Sequence, residues 1–248
     1  MSASAGIAIF VKTPGISALK TRLAATEGVA YAENWYRLAA SAVAEVATLS
    51  GAAVYWAVAE PEAMNASIWQ GLPRVAQLDQ AQNSSQNSSQ NSSQNISLGA
   101  RMHCIHQQLL ARHSAAILLG ADTPQLDITV LCAVIDYLRS SEPCWAVAPA
   151  TDGGFWLHGA NSCAPLAAWE AVRYSSADTL AQFERVMAGQ GQLVRFQSET
   201  DVDTAADLAV CASALTALAR PSGKQRALLD WMQAQAFHMG SHAVKYPA

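Results

Sequence analysis

Charge is scarce in this chain. Asp, Glu, Lys and Arg together make up 14% of its 248 residues, and lysine occurs at only four positions, Lys12, Lys20, Lys224 and Lys245. With 51% apolar residues, such a chain can bury a large core, which argues against global disorder. The net charge of −4 argues against nucleic acid or an anionic membrane as the main partner, while leaving room for a local basic pocket. No apolar run approaches the roughly 20 residues that span a bilayer. The five cysteines (Cys104, Cys132, Cys144, Cys163, Cys211) form no C-x-x-C pair, so neither a disulfide framework nor a zinc site is expected. No basic stretch precedes the apolar run in MSASAGIAIFVK; a signal peptide is therefore not expected, and a cytosolic address follows by elimination. A Walker loop, a G-x-S-x-G elbow, a G-x-G-x-x-G fingerprint and a Ser-His-Asp arrangement are all missing.

What is present is alternation. Short apolar runs at 6–11, 52–59, 115–120, 144–148, 155–158 and 192–196 read as strands. Between them, 31–49, 98–112, 128–139 and 179–188 carry apolar residues at three- and four-residue spacing, as helices do. The runs at 6–11 and 115–120 are almost wholly apolar, as expected of strands covered on both faces. The expected fold is a mostly parallel, three-layer α/β domain occupying residues 1–218. A Q-N-S-S repeat at 80–95 reads as a low-complexity surface loop within it. Residues 219–248 read as a tail with a short helix near 226–237, suited to packing or to an oligomer contact; the oligomeric state is unreadable.

Four segments could carry chemistry. Lys12, Lys20 and Arg22 fall within eleven residues that contain no acid, directly after the first strand. In open α/β sheets ligands bind beyond the carboxyl ends of strands, and an ion pair at ~4 Å is worth about 4 kcal/mol before desolvation. This loop is therefore expected to bind phosphate, against the plainer reading of a solvated basic loop. Asp122 stands where an apolar strand ends, as either a metal ligand or a turn cap. Asp201 and Asp203 fall on one side of an extended segment, where two carboxylates call for a positive partner such as a divalent cation, or form a solvated acidic turn. Thr204 and Asp207 read as a capping box. Asp152 precedes Gly153 and Gly154, a hairpin signal that also leaves room for a ligand and a general base. The pairs His103/His106 and His238/His242 have metal-compatible spacing but no evident third ligand, and His158 reads as a core or pocket residue.

Taken in order, A-I-F-V-K-T-P and K-T-R-L (8–14 and 20–23), L-G-A-R-M (98–102), G-A-D-T-P (120–124), P-A-T-D-G-G-F (149–155) and D-V-D-T-x-x-D-L (201–208) resemble one family. This is a bacterial family of glycosyltransferase-A-like proteins in the nucleotide-diphospho-sugar transferase superfamily, some linked to arsenosugar biosynthesis. The resemblance implies a three-layer α/β/α, Rossmann-like sheet of glycosyltransferase-A type and a metal-dependent glycosyltransferase using Mg2+ or Mn2+, a nucleotide-sugar donor and a small-molecule acceptor. The alternatives it leaves are a nucleotidyltransferase acting on a nucleoside triphosphate and a phosphorylated substrate, or a non-catalytic nucleotide-binding protein. By motif position it implies that Lys12, Pro14, Lys20, Thr21, Arg22 and Arg101 face the nucleotide. Asp122, Asp201 and Asp203 would hold the metal; Gly153, Gly154 and Phe155 would meet the acceptor. Asp152 and Lys20 would act in the reaction itself.

Overall fold

The computed structural model describes residues 5–77 and 96–242, the last six of these by backbone alone. The Q-N-S-S loop expected at 80–95 and the side chains of His238 and His242 lie outside the described residues. Seven strands form one sheet in the order β3-β2-β1-β4-β6-β5-β7. They are β1 (Ala5–Val11), β2 (Ala53–Val58), β3 (Arg74–Ala76), β4 (Ala115–Gly120), β5 (Cys144–Pro149), β6 (Phe155–Ala160) and β7 (Gln192–Arg195). All neighbours are parallel except β6, which runs against both β4 and β5.

Alternation along the central strands explains the layers. Ile7, Ile9 and Val11 of β1 and Ile117 and Leu119 of β4 join one core cluster, while Ala8, Ala116 and Leu118 face the other. The first face is covered by α1 (Thr21–Glu27), α2 (Val29–Leu49), α4 (Ile128–Tyr137), α7 (Ala205–Ala217) and α8 (Gly223–His242). The second is covered by α3 (Leu98–Leu110), α5 (Leu166–Glu170) and α6 (Thr179–Met187). Both central strands are buried on two faces, so their sequences contain no polar alternation.

Helix starts follow local chemistry. Ser97 accepts a hydrogen bond from Ala100 N at the head of α3, and Asp127 does the same for Thr129 N at α4. The capping box expected at Thr204 is present, with Asp207 Oδ2 accepting from the Thr204 and Asp203 backbone N–H groups. A second reciprocal pair opens α8: Ser222 N donates to Gln225 Oε1, and Gln225 N donates to Ser222 Oγ. The Gln225 amide then donates to Pro124 O and Leu126 O, beside the end of β4. Residues 223–242 thus form a helix longer than expected. Leu228 and Met232 enter the main core, and Trp231 stacks at 4.9 Å from Tyr31 of α2.

Three elements have no counterpart among the expected ones: α1, α5 and β3. α1 and α2 are separated only by Gly28 at φ 90, and α1 begins after a lysine with no side-chain cap. The Asp152-Gly153 signal is a hairpin, as its turn chemistry predicts, joining antiparallel β5 and β6 with Ala150 N donating to Gly154 O. No described helix is long and apolar enough to cross a membrane.

Candidate functional site

β1 and β4 pair in register, Phe10 opposite Gly120, so the chain leaves both strands at one rim. The segment after β1 is pinned between Lys12 and the Lys20–Arg22 pair. Thr13 N and Oγ1 both donate to Glu60 Oε2, Trp69 Nε1 donates to Thr13 Oγ1, and Gly15 N donates to Glu33 Oε1. Lys12 N donates to the buried Tyr36 hydroxyl of α2. Lys20, just ahead of α1, has the left-handed backbone φ 46, ψ 45, and its carbonyl accepts from Ala24 N. A non-glycine residue there is held against a local steric cost by its surroundings.

What holds Lys20 is a pair of acids. Its Nζ lies 2.5 Å from Asp122 Oδ2 and 2.9 Å from Asp203 Oδ1, and its side chain is only 6% exposed. Burial alone would lower the Lys20 pKa; the charges and hydrogen bonds of Asp122 and Asp203 outweigh that and raise it. Arg22, 74% exposed, reaches Asp203 Oδ2 at 3.9 Å. Glycine at 120 leaves room for this arrangement, since a Cβ there would sit 2.8 Å from Asp122 Oδ1. The sequence called for a positive partner between Asp201 and Asp203; the chain's own ammonium instead bridges Asp203 and Asp122.

A cavity of about 530 Å³ opens over these groups. Lys12, Lys20, Thr21, Arg22, Arg101, Asp122 and Asp203 line it, as do Phe10, Tyr36 and Gln77. Arg101 comes from the first turn of α3 and donates through Nη1 to Gln77 Oε1. Gln77 is oriented by its own amide donating to Ala57 O, so its oxygen can only accept. Burial lowers the Arg101 pKa, and the charge of Glu60 opposes that. Tyr36 and Gln77 were not singled out from the sequence. Tyr36 is hidden in the apolar spacing of α2, and Gln77 is a lone polar residue before the repeat segment.

The remaining candidates lie apart from this lining. Asp201 accepts a hydrogen bond from Thr123 Oγ1, and its pKa is pushed up to about 7 by burial, with the negative charge of Asp122 adding to it. Val202 between the two acids is fully buried, and its N–H donates to Asp122 O, which fixes the segment to the end of β4. Asp152 sits in the β5–β6 turn with Oδ1 accepting from Gly154 N, and its charge also reaches Asp201. Gly153, at φ 93, makes a close approach, but to the protein itself. A Cβ there would lie 2.0 Å from Ala177 O, and Gly153 O accepts from Leu180 N of α6. Phe155 stacks on Phe183 at 4.8 Å. Pro14 belongs to the pinned loop outside the cavity wall. Among the described residues no group of three or more His, Cys, Asp or Glu side chains is placed to hold a metal, so Asp201 does not join Asp122 and Asp203 in a triad.

The sheet order, with one reversed strand, defines a mostly parallel α/β fold that this chain shares with nucleotide-diphospho-sugar transferase structures. A provisionally named nucleotide-diphospho-sugar transferase from Desulfovibrio desulfuricans G20 shares it at a TM-score of 0.75 and 23% identity, over 94% of this chain and 96% of that one. CMP:2-keto-3-deoxy-manno-octonic acid synthetase, in complex with CTP, shares it at a TM-score of 0.53 and 15% identity, over 87% of this chain and all of that one. No curated protein matches the chain. The chain belongs to the family DUF2064, described as an uncharacterized protein conserved in bacteria, which matches residues 43–176. The matched span holds Arg101, Asp122 and Asp152 but not the Lys12–Arg22 loop or Asp203.

Proposed function

We propose that this chain is a transferase that holds the diphosphate of a nucleotide sugar in the rim cavity and passes the sugar to a small acceptor hydroxyl. One observation carries the proposal: Lys12, Lys20, Arg22 and Arg101 converge with Asp122 and Asp203 on one cavity, in a chain with very few cations. Phosphate oxygens are the ligand chemistry that such a set attracts. Support also comes from the shared fold, since the relatives named above include a nucleotide-sugar transferase by name and a CTP-bound synthetase. Residues 1–218 form the catalytic domain in this reading, with 219–242 bracing it.

Lys12, Lys20 and Arg22 bind the phosphate oxygens, and that attraction strengthens as the bond from sugar C1 to the diphosphate breaks and charge gathers on the leaving oxygen. Arg101, steadied by Gln77, holds the nucleotide from the other wall. As the acceptor oxygen bonds to C1, its proton passes to a carboxylate, a role assigned to Asp152 with Gly153, Gly154 and Phe155 shaping the acceptor side. Asp122 and Asp203 already converge on a cation in Lys20, and two carboxylates completed by phosphate oxygens and waters suit Mg2+ or Mn2+. Bound there, the ion supplies further neutralisation of the leaving diphosphate.

A second reading, nucleotidyl transfer from a triphosphate to a phosphorylated substrate, is favoured by the position of Asp152 outside the cavity lining, since that chemistry needs cations more than a nearby base. Calorimetric titration with nucleotide sugars and triphosphates, with and without manganese, separates the two. Tighter binding of a nucleotide sugar in manganese is expected. Pyrophosphate release from a triphosphate supports the second reading instead, and binding of neither class sinks both.

A further inference from the structure

The acid pair at the rim is already occupied by the protein's own cation. Lys20 Nζ contacts both Asp122 and Asp203, and Arg22 stands near the second. A divalent ion entering between these carboxylates meets an ammonium within hydrogen-bond distance of the oxygens it must take. Leaving these acids for water would cost Lys20 both of its partners, and its side chain is nearly buried against them. It releases the acids at least cost when another anion inside the cavity accepts its charge. A diphosphate is such an anion, yet one that arrives without a metal draws Lys20 away and leaves Asp122 and Asp203 facing each other and the phosphates uncompensated.

We propose that Lys20 is a specificity-determining residue that makes the Asp122–Asp203 pair selective for a metal–diphosphate complex over either free metal or free diphosphate. The inference rests on the diphosphate reading of the cavity and adds a coupling to it: each ligand raises the other's affinity by the same factor, because Lys20 must exchange partners for either to enter. Lys20 therefore serves twice, holding the acids when the cavity is free of phosphate and the phosphate when the metal holds the acids.

The probes are Mn2+ and inorganic pyrophosphate, which need no knowledge of the base or sugar. Mn2+ retention by the full chain is measured by equilibrium dialysis, with and without pyrophosphate and with protein-free controls for the Mn2+–pyrophosphate complex. The wild type is expected to retain Mn2+ at least tenfold more tightly with pyrophosphate than without it. Lys20→Met is expected to bind Mn2+ alone at least tenfold more tightly than the wild type and to lose most of the pyrophosphate dependence. Lys20→Gln, which keeps a donor to the acids without the charge, repeats the test if the methionine variant fails to fold. Equal retention of free Mn2+ by wild type and variants, with Mn2+–pyrophosphate still bound, overturns the coupling and leaves the diphosphate reading standing. No binding of Mn2+–pyrophosphate by the wild type overturns both.

Discussion

Two clusters of buried ionisable groups in this molecule are handled in opposite ways. At the rim, Lys20 is buried with its charge kept, because Asp122 and Asp203 contact it. Beneath the second face of the sheet, His106 and His158 lie among Trp145, Trp169 and Phe183, and both His106 ring nitrogens and His158 Nδ1 have no hydrogen-bond partner among the described residues. Burial lowers the His106 pKa to about 3, with the nearby His103 adding to it, and puts His158 well below its usual value. These histidines stay neutral because nothing compensates a charge there. The contrast separates a region built to exchange charged partners from one built to exclude charge altogether.

The largest expected effect falls on the aromatic side and the hairpin beside it. Gly153→Ala forces a Cβ onto Ala177 O at a positive φ and pushes α6, which carries Phe183, away from the hairpin. A loss of about 3 kcal/mol in urea unfolding is expected, with Mn2+–pyrophosphate affinity unchanged in the folded protein. Next comes acid. The folded pKa of His106 lies below its unfolded value of 6.5, so its contribution to stability is present above pH 6.5 and lost as pH falls. About 2 kcal/mol should disappear between pH 8 and 5, and His106→Leu should flatten that slope; a slope unchanged in the variant would place the acid sensitivity elsewhere.

Smaller effects belong to the rim. Lys20→Ala should weaken binding of a nucleoside diphosphate in manganese at least tenfold, or about 1.4 kcal/mol, while the protein stays folded. An affinity within twofold of the wild type would remove Lys20 from the phosphate site. Asp201 titrates in the opposite sense from His106. Its folded pKa, about 7, lies above its unfolded value of 3.8, so its contribution is present at low pH and lost as pH rises through 7. Asp201→Asn should therefore raise stability more at pH 8 than at pH 5. A chemical-denaturation series at the two pH values reads the sign directly.

The frame of this molecule was legible wherever burial left a periodic trace. β1 and β4 are covered on both faces and read as unbroken apolar runs, and α2 repeats its buried alanines and aromatics at helical spacing. α1 and β3 were not legible: one starts at a lysine in a left-handed conformation without a cap, and the other has only three residues. At the site, a loop after one strand and an acid after another sufficed to predict that Lys20 and Asp122 share a rim. Their direct contact could not be read, because Lys20 meets its partners across 102 and 183 residues of sequence. Nor could Gln77, whose role depends on backbone carbonyls that any sequence would offer.

The Gln225 amide, reaching from α8 to Pro124 O and Leu126 O, makes the last described helix a brace for the turn that follows Asp122. A truncation before Ser222 would strip away more than a surface ornament. It would unlatch the ground on which the rim acid stands, and a shortened protein could keep its sheet while its charged cavity drifts out of tune.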